Sequence, residues 1–277
     1  MVPILISAAE LHAVLPTVRV LDVRWTLAVP DGRPAYLEGH VPGAVYVDLD
    51  SELARHGAPE DGRHPLPDPA DLQESARGWG LDDGDTAVVY DGGGNLAAAR
   101  TWWLLRDAGV ADVRLLDGAL PAWTAAGYPL ATGPEHPARG SVTLRPRRSA
   151  VLDIDSAARF PDGGVLLDAR AGERYRGETE PVDPRAGHIP GAVSAPTSDN
   201  LAGDGTFLPV DRLRERFTAL GVSADRPVAA YCGSGVTAAH TVVALTLAGF
   251  EPALYPGSWS QWANHPDRPA ATGQAPA

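Results

Sequence analysis

Gly39-His40-Val41-Pro42-Gly43-Ala44 recurs as Gly187-His188-Ile189-Pro190-Gly191-Ala192, and that recurrence decides the fold. Three further blocks recur in the same order. Leu21-Asp22-Val23-Arg24 is answered by Leu167-Asp168-Ala169-Arg170, Val88-Val89-Tyr90-Asp91-Gly92 by Ala229-Ala230-Tyr231-Cys232-Gly233, and Gly118-Ala119-Leu120-Pro121-Ala122-Trp123 by Gly257-Ser258-Trp259-Ser260-Gln261-Trp262. The offsets are 146, 148, 141 and 139 residues, near half of a 277-residue chain. A spacing of that size marks a duplicated domain, because solenoid units run to roughly 20–50 residues. We expect domains at 1–130 and 151–277.

Each copy alternates short apolar runs with helical patterns. Ser7-Ala8-Ala9-Glu10 is a capping box opening a first helix. Strands are expected at 20–23, 87–90, 165–168 and 228–231, and helices at 68–77, 96–108, 210–220 and 237–248. Continuous apolar strands alternating with helices predict an α/β fold, each domain a parallel sheet flanked by helices. Residues 131–150 hold three prolines with Arg139, Arg145, Arg147 and Arg148, a composition expected of an extended, solvated linker.

Composition narrows the chemistry. All 23 basic residues are arginine, against 35 acidic ones, for a net charge of −12. Such a balance disfavours nucleic-acid or membrane-surface binding. Without lysine there is no Schiff base and no P-loop of the usual form. A single cysteine, Cys232, permits no internal disulfide or multi-cysteine metal site, and suggests a reducing compartment. The N-terminal residues lack the basic start of a secretory signal, and the most apolar stretch, 241–250, is half a membrane span. We therefore expect a cytoplasmic protein.

Ligands of open α/β sheets bind outside the carboxyl ends of the strands. Cys232 falls there, followed by Gly233-Ser234-Gly235-Val236-Thr237-Ala238 and a helix. The glycines let successive N–H groups turn inward as an anion nest, and the helix start adds positive potential. Together they should stabilise a negative sulfur species. A cysteine phosphatase would need arginine five residues after the cysteine, where Ala238 stands. No local motif supplies the histidine base of a cysteine hydrolase. A persulfide, Cys–S–S⁻, is a soft anion suited to backbone amides.

These residues resemble the tandem-domain rhodanese family, in its 3-mercaptopyruvate sulfurtransferase form. The loop from Cys232 to Ala238 is similar to the family's active-site loop. Tyr36-x3-His40-Val41-Pro42-Gly43-Ala44 and Tyr255-Pro256-Gly257-Ser258-Trp259-x-x-Trp262 resemble its two signatures, Gln261 standing where glutamate is usual. The likeness covers nearly the whole chain. It implies two rhodanese-like domains, the first catalytically silent because Asp91 occupies the cysteine position.

The resemblance further implies transfer of a sulfane sulfur from 3-mercaptopyruvate to cyanide, a small thiol or thioredoxin, with no cofactor or metal. Thiosulfate-specific members resemble Cys-Arg-Lys-Gly-Val-Thr, whereas Gly233 and Ser234 make this loop neutral. Thiosulfate:cyanide transfer is the alternative, and a non-catalytic binding module a remoter one. By resemblance Arg174 binds the substrate carboxylate, with Arg185 as a second arginine, and Ser234, His40 and Asp31 form a proton relay. The residues themselves favour a structural turn for His40, since His188 repeats it. Asp22–Arg24 and Asp168–Arg170 are read as strand-end ion pairs.

Overall fold

The computed structural model describes residues 2–145 and 149–274 and divides into two units. Unit 1 comprises Met1–Arg55, Leu66–Arg148 and Ala202–Phe207, and unit 2 comprises His56–Pro65, Ser149–Leu201 and Leu208–Ala277. Each unit thus holds a short segment from the other half of the chain.

In unit 1 the strands β1 (Leu5–Ile6), β2 (Arg19–Asp22), β3 (Val45–Tyr46), β4 (Thr86–Tyr90) and β5 (Asp112–Leu116) form one sheet in the order β1-β5-β4-β2-β3. In unit 2, β6 (Val165–Asp168), β7 (Val193–Ser194), β8 (Val228–Tyr231) and β9 (Pro252–Leu254) follow the order β7-β6-β8-β9. Every pairing is parallel. All four residues of β6 and of β8 are buried, which is why these strands read as unbroken apolar runs. The helices Pro69–Gly78, Ala98–Asp107, Val210–Ala219 and Thr237–Leu247 fall within two residues of expectation. Ser7 and Glu10 close the capping box at 3.2 and 2.9 Å. The short β1, β3, β7 and β9 escaped prediction, because two or three residues cannot establish a period, and so did β5, whose apolar run is interrupted by Asp112 and Arg114.

The recurring blocks are one structural corner built twice. His40 Nδ1 lies 2.9 Å from the Tyr36 carbonyl and its ring stacks on Tyr36, as His188 does on Tyr175 with 2.8 Å to that carbonyl. The tyrosine hydroxyls donate to Ala44 and Ala192 at 2.9 and 2.7 Å. Asp22–Arg24 and Asp168–Arg170 are strand-end ion pairs, at 2.7 and 2.6 Å. Trp123 in unit 1 and Trp262 in unit 2 anchor equivalent cores. Burial of each indole contributes on the order of 3 kcal/mol.

The segment after residue 130 is extended but held rather than solvated. Ala131 bridges His40, Gly140 N–H donates to Arg77 at 2.8 Å, and Val142 N–H donates to Leu81 at 3.0 Å. Val142 is 3% exposed. Composition shows the prolines that keep a chain extended, but not the carbonyls waiting on its neighbours. Arg147 and Arg148 lie outside the described residues.

Candidate active site

The β8 strand ends at Tyr231 and delivers Cys232 to the mouth of a tight loop, 2% exposed. Gly235 N–H donates to Sγ at 3.1 Å. Gly235 has φ +77°, and a Cβ there would strike the Pro256 carbonyl, so only glycine fits. The loop is clamped by the start of the helix Ser258–Ala263. Cys232 N–H donates to Ser258 Oγ at 3.1 Å, and the carbonyls of Cys232 and Gly233 accept from Trp259 and Ser260 at 2.9 and 2.8 Å. Val236 leads into the helix Thr237–Leu247, whose first turn carries Thr237 and Ala238. Gln261, the departure noted in the second signature, accepts from the Tyr255 hydroxyl at 2.9 Å and stays structural.

Two residues that sequence inspection missed reach this loop from His56–Pro65. Gly62 packs against the Gly257 carbonyl, and Arg63 N–H donates to Ser260 Oγ at 3.1 Å. That docking places His64 Nδ1 2.7 Å from Ser234 Oγ, with both side chains buried. Arg63 pairs with Asp183 through Nη1. Arg174, on the short helix Gly172–Tyr175, donates to Glu180 at 2.6 Å and to Asp183 at 3.4 Å. A Cβ on Gly233 would lie 3.0 Å from Arg63 Nη2 and 3.6 Å from Arg174 Nη1, so both guanidiniums border the loop. Burial pushes the Asp183 carboxyl up from its ordinary range, while Arg63 and Arg174 pull it down. The sequence signal for His64 was its lack of a counterpart. His40 repeats as His188, whereas His64 sits in a Gly/Pro-rich stretch with no echo in the second copy.

The other expected site residues are placed differently. Arg185 donates to the carbonyls of Trp262, Ala263, His265 and Arg268 at 2.8–3.1 Å, closing the end of the helix Ser258–Ala263. His40 is committed to its corner, and Asp31 is exposed, accepting from Arg33 N–H at 3.0 Å. Both belong to unit 1, whereas the histidine at hydrogen-bonding distance from Ser234 is His64.

Unit 1 displays the same loop filled by its own anion. Asp91, at the cysteine position, accepts from the N–H groups of Gly93, Asn95, Ala97 and Ala98 at 2.8, 3.0, 2.9 and 3.3 Å. Complete burial outweighs those four amides and pushes its carboxyl up to about 6. A carboxyl raised in the native state makes its full stabilising contribution below pH 4 and loses it as pH rises through 6. The loss is about 3 kcal/mol. Between pH 4 and 7, urea titrations should therefore show the stability difference between wild type and Asp91→Asn moving by that amount in favour of the variant. A pH-independent difference would show that the carboxyl titrates alike in the folded and unfolded chains.

Comparison with known proteins agrees with this duplicated architecture. The family model described as a rhodanese-like domain matches residues 7–126 and again 153–265. The chain belongs to the rhodanese family. A Pseudomonas aeruginosa rhodanese relative, provisionally named a 3-mercaptopyruvate sulfurtransferase, is 49% identical over 97% of this chain and 98% of its own. A Mycobacterium tuberculosis relative, provisionally named the thiosulfate sulfurtransferase SseB, is 47% identical over 98% of each chain. The crystal structure of the 3-mercaptopyruvate sulfotransferase SseA from Escherichia coli superposes with a TM-score of 0.81 at 31% identity. It spans 93% of this chain and 99% of that one.

Proposed function

We propose that this rhodanese-family enzyme moves sulfur from 3-mercaptopyruvate to a thiophilic acceptor through a persulfide on Cys232. The observation that carries the reading is the Ser234 hydroxyl, 2.7 Å from His64, in a loop without charged side chains. The Cys232 thiolate attacks the donor sulfur, forming an S–S bond and breaking the C–S bond. The C–S electron pair passes to carbon as the enolate of pyruvate. The donor thiol's proton must then reach that carbon, leaving Cys–S–S⁻. Ser234 and His64 form a hydrogen-bonded pair that can carry it, His64 as general acid–base and Ser234 as the relay. An acceptor nucleophile, whether cyanide, a small thiol or reduced thioredoxin, next attacks the outer sulfur and restores the thiolate. Gly235 N–H already faces Sγ, and Asp91 illustrates how four amides of the sister loop hold an anion.

Thiosulfate is the second reading, raised by the name of the mycobacterial relative. A thiosulfate dianion would meet neutral Gly233 and Ser234, and the carboxylates of Asp183 and Glu180 already balance the charges of the nearby Arg63 and Arg174. Initial rates with cyanide as acceptor decide between them. Pyruvate release from 3-mercaptopyruvate should exceed sulfite release from thiosulfate by at least about tenfold in kcat/KM, a difference of roughly 1.4 kcal/mol. A higher kcat/KM with thiosulfate would reverse the assignment.

A further inference from the structure

The carboxylate of a keto-acid donor needs a cation, and Arg185, expected to share that task with Arg174, donates to four carbonyls instead. Arg63 is differently placed. Its Nη1 is paired with Asp183, but among the described residues Nη2 has no hydrogen-bond partner, and Nε is buried without one. Arg174 is similar, since Nε and Nη2 are held by acids while Nη1 has no partner among the described residues. Both unpartnered ends border Gly233, the residue between the nucleophile and the serine, where the missing side chain leaves them uncovered.

Asp183 explains why two like charges can stand together. It accepts from both guanidiniums, while Glu180 accepts from Arg174 and is itself fixed by the N–H groups of Val182 and Asp183 at 3.2 and 3.1 Å. Glu180 also pairs with Arg170, itself paired with Asp168, so three arginines and three carboxylates leave this cluster neutral before a ligand arrives. One further carboxylate is then accommodated with a net charge of −1, and a dianion with twice that.

We infer that Arg63 is the second substrate arginine, forming with Arg174 a clamp for the single carboxylate of a β-thiol-α-keto acid, with Asp183 as the positioning residue that holds the two forks. The inference rests on the 3-mercaptopyruvate reading above. The planar guanidinium fork matches a carboxylate in a way that an ammonium does not.

The test compares wild type, Arg63→Gln and Arg63→Lys on two donors, 3-mercaptopyruvate and mercaptoacetone, which keeps the thiol and ketone but lacks the carboxylate. Arg63→Gln should raise the KM for 3-mercaptopyruvate about 10- to 100-fold, the loss of one charge-assisted hydrogen-bonded contact. Arg63→Lys should fall between, and it carries the comparison should the glutamine variant fail to fold. Neither should change the KM for mercaptoacetone by more than about twofold. Equal effects on both donors, or none on either, would overturn the role of Arg63. If wild type itself releases no pyruvate from 3-mercaptopyruvate, the functional reading falls, and the clamp with it.

Discussion

Cys232→Ser should abolish sulfur transfer, with turnover falling by more than about 10³-fold to the uncatalysed background. The serine hydroxyl is a poor match for a soft sulfur electrophile, and alkoxide formation at neutral pH is negligible. The chain offers no substitute, because it contains no second cysteine. The fold should survive. Cys232 is a small buried residue whose backbone N–H is held by Ser258 and whose carbonyl accepts from Trp259, contacts that serine retains. Circular dichroism and the melting temperature should therefore match wild type while activity is lost. Residual turnover above about 1% of wild type would contradict a nucleophilic cysteine.

His64→Gln carries the second large effect, a fall of about 10²–10³ in kcat with 3-mercaptopyruvate. Glutamine can still hydrogen-bond the Ser234 hydroxyl, but it cannot exchange a proton. The proton leaving the donor thiol then has no path through this pair to the carbon of pyruvate. Only the first half-reaction requires that transfer. Discharge of a persulfide already formed on Cys232 should proceed at the wild-type rate when cyanide is added, as stopped-flow or quenched samples can show. Equal slowing of both halves would mean that His64 only shapes the loop. His40→Gln provides the contrast. His40 is wholly buried, bonded to the Tyr36 carbonyl and stacked on that ring, so its loss should lower the melting temperature and leave the half-reactions in proportion.

The fold was open to inspection because the chain states it twice. Corner, strand and loop recur in order, and strands β6 and β8, and β2 and β4 after their first residue, are buried along their length, so their apolar runs stand out. The nucleophile was equally plain, since one cysteine followed by glycine at the end of a buried strand has few other uses. The rest of the site was hidden for identifiable reasons. Arg63 and His64 precede Cys232 by well over half the chain and reach it only because His56–Pro65 packs within unit 2. No periodicity reports such an exchange of segments. Arg174 and Arg185 look alike in sequence, yet one faces the loop and the other closes a helix, a difference set by which carbonyls lie within reach. His40 drew attention through a motif whose purpose is the corner itself.

Sulfur transfer by this enzyme passes through one covalent intermediate. Wild-type protein mixed with 3-mercaptopyruvate in the absence of acceptor, then examined by intact-mass spectrometry, should gain the mass of one sulfur atom. The gain should map to the peptide carrying Cys232 and disappear on addition of cyanide, and Cys232→Ser should show none. Steady turnover with acceptor, but no such adduct on the wild-type protein, would contradict the persulfide mechanism.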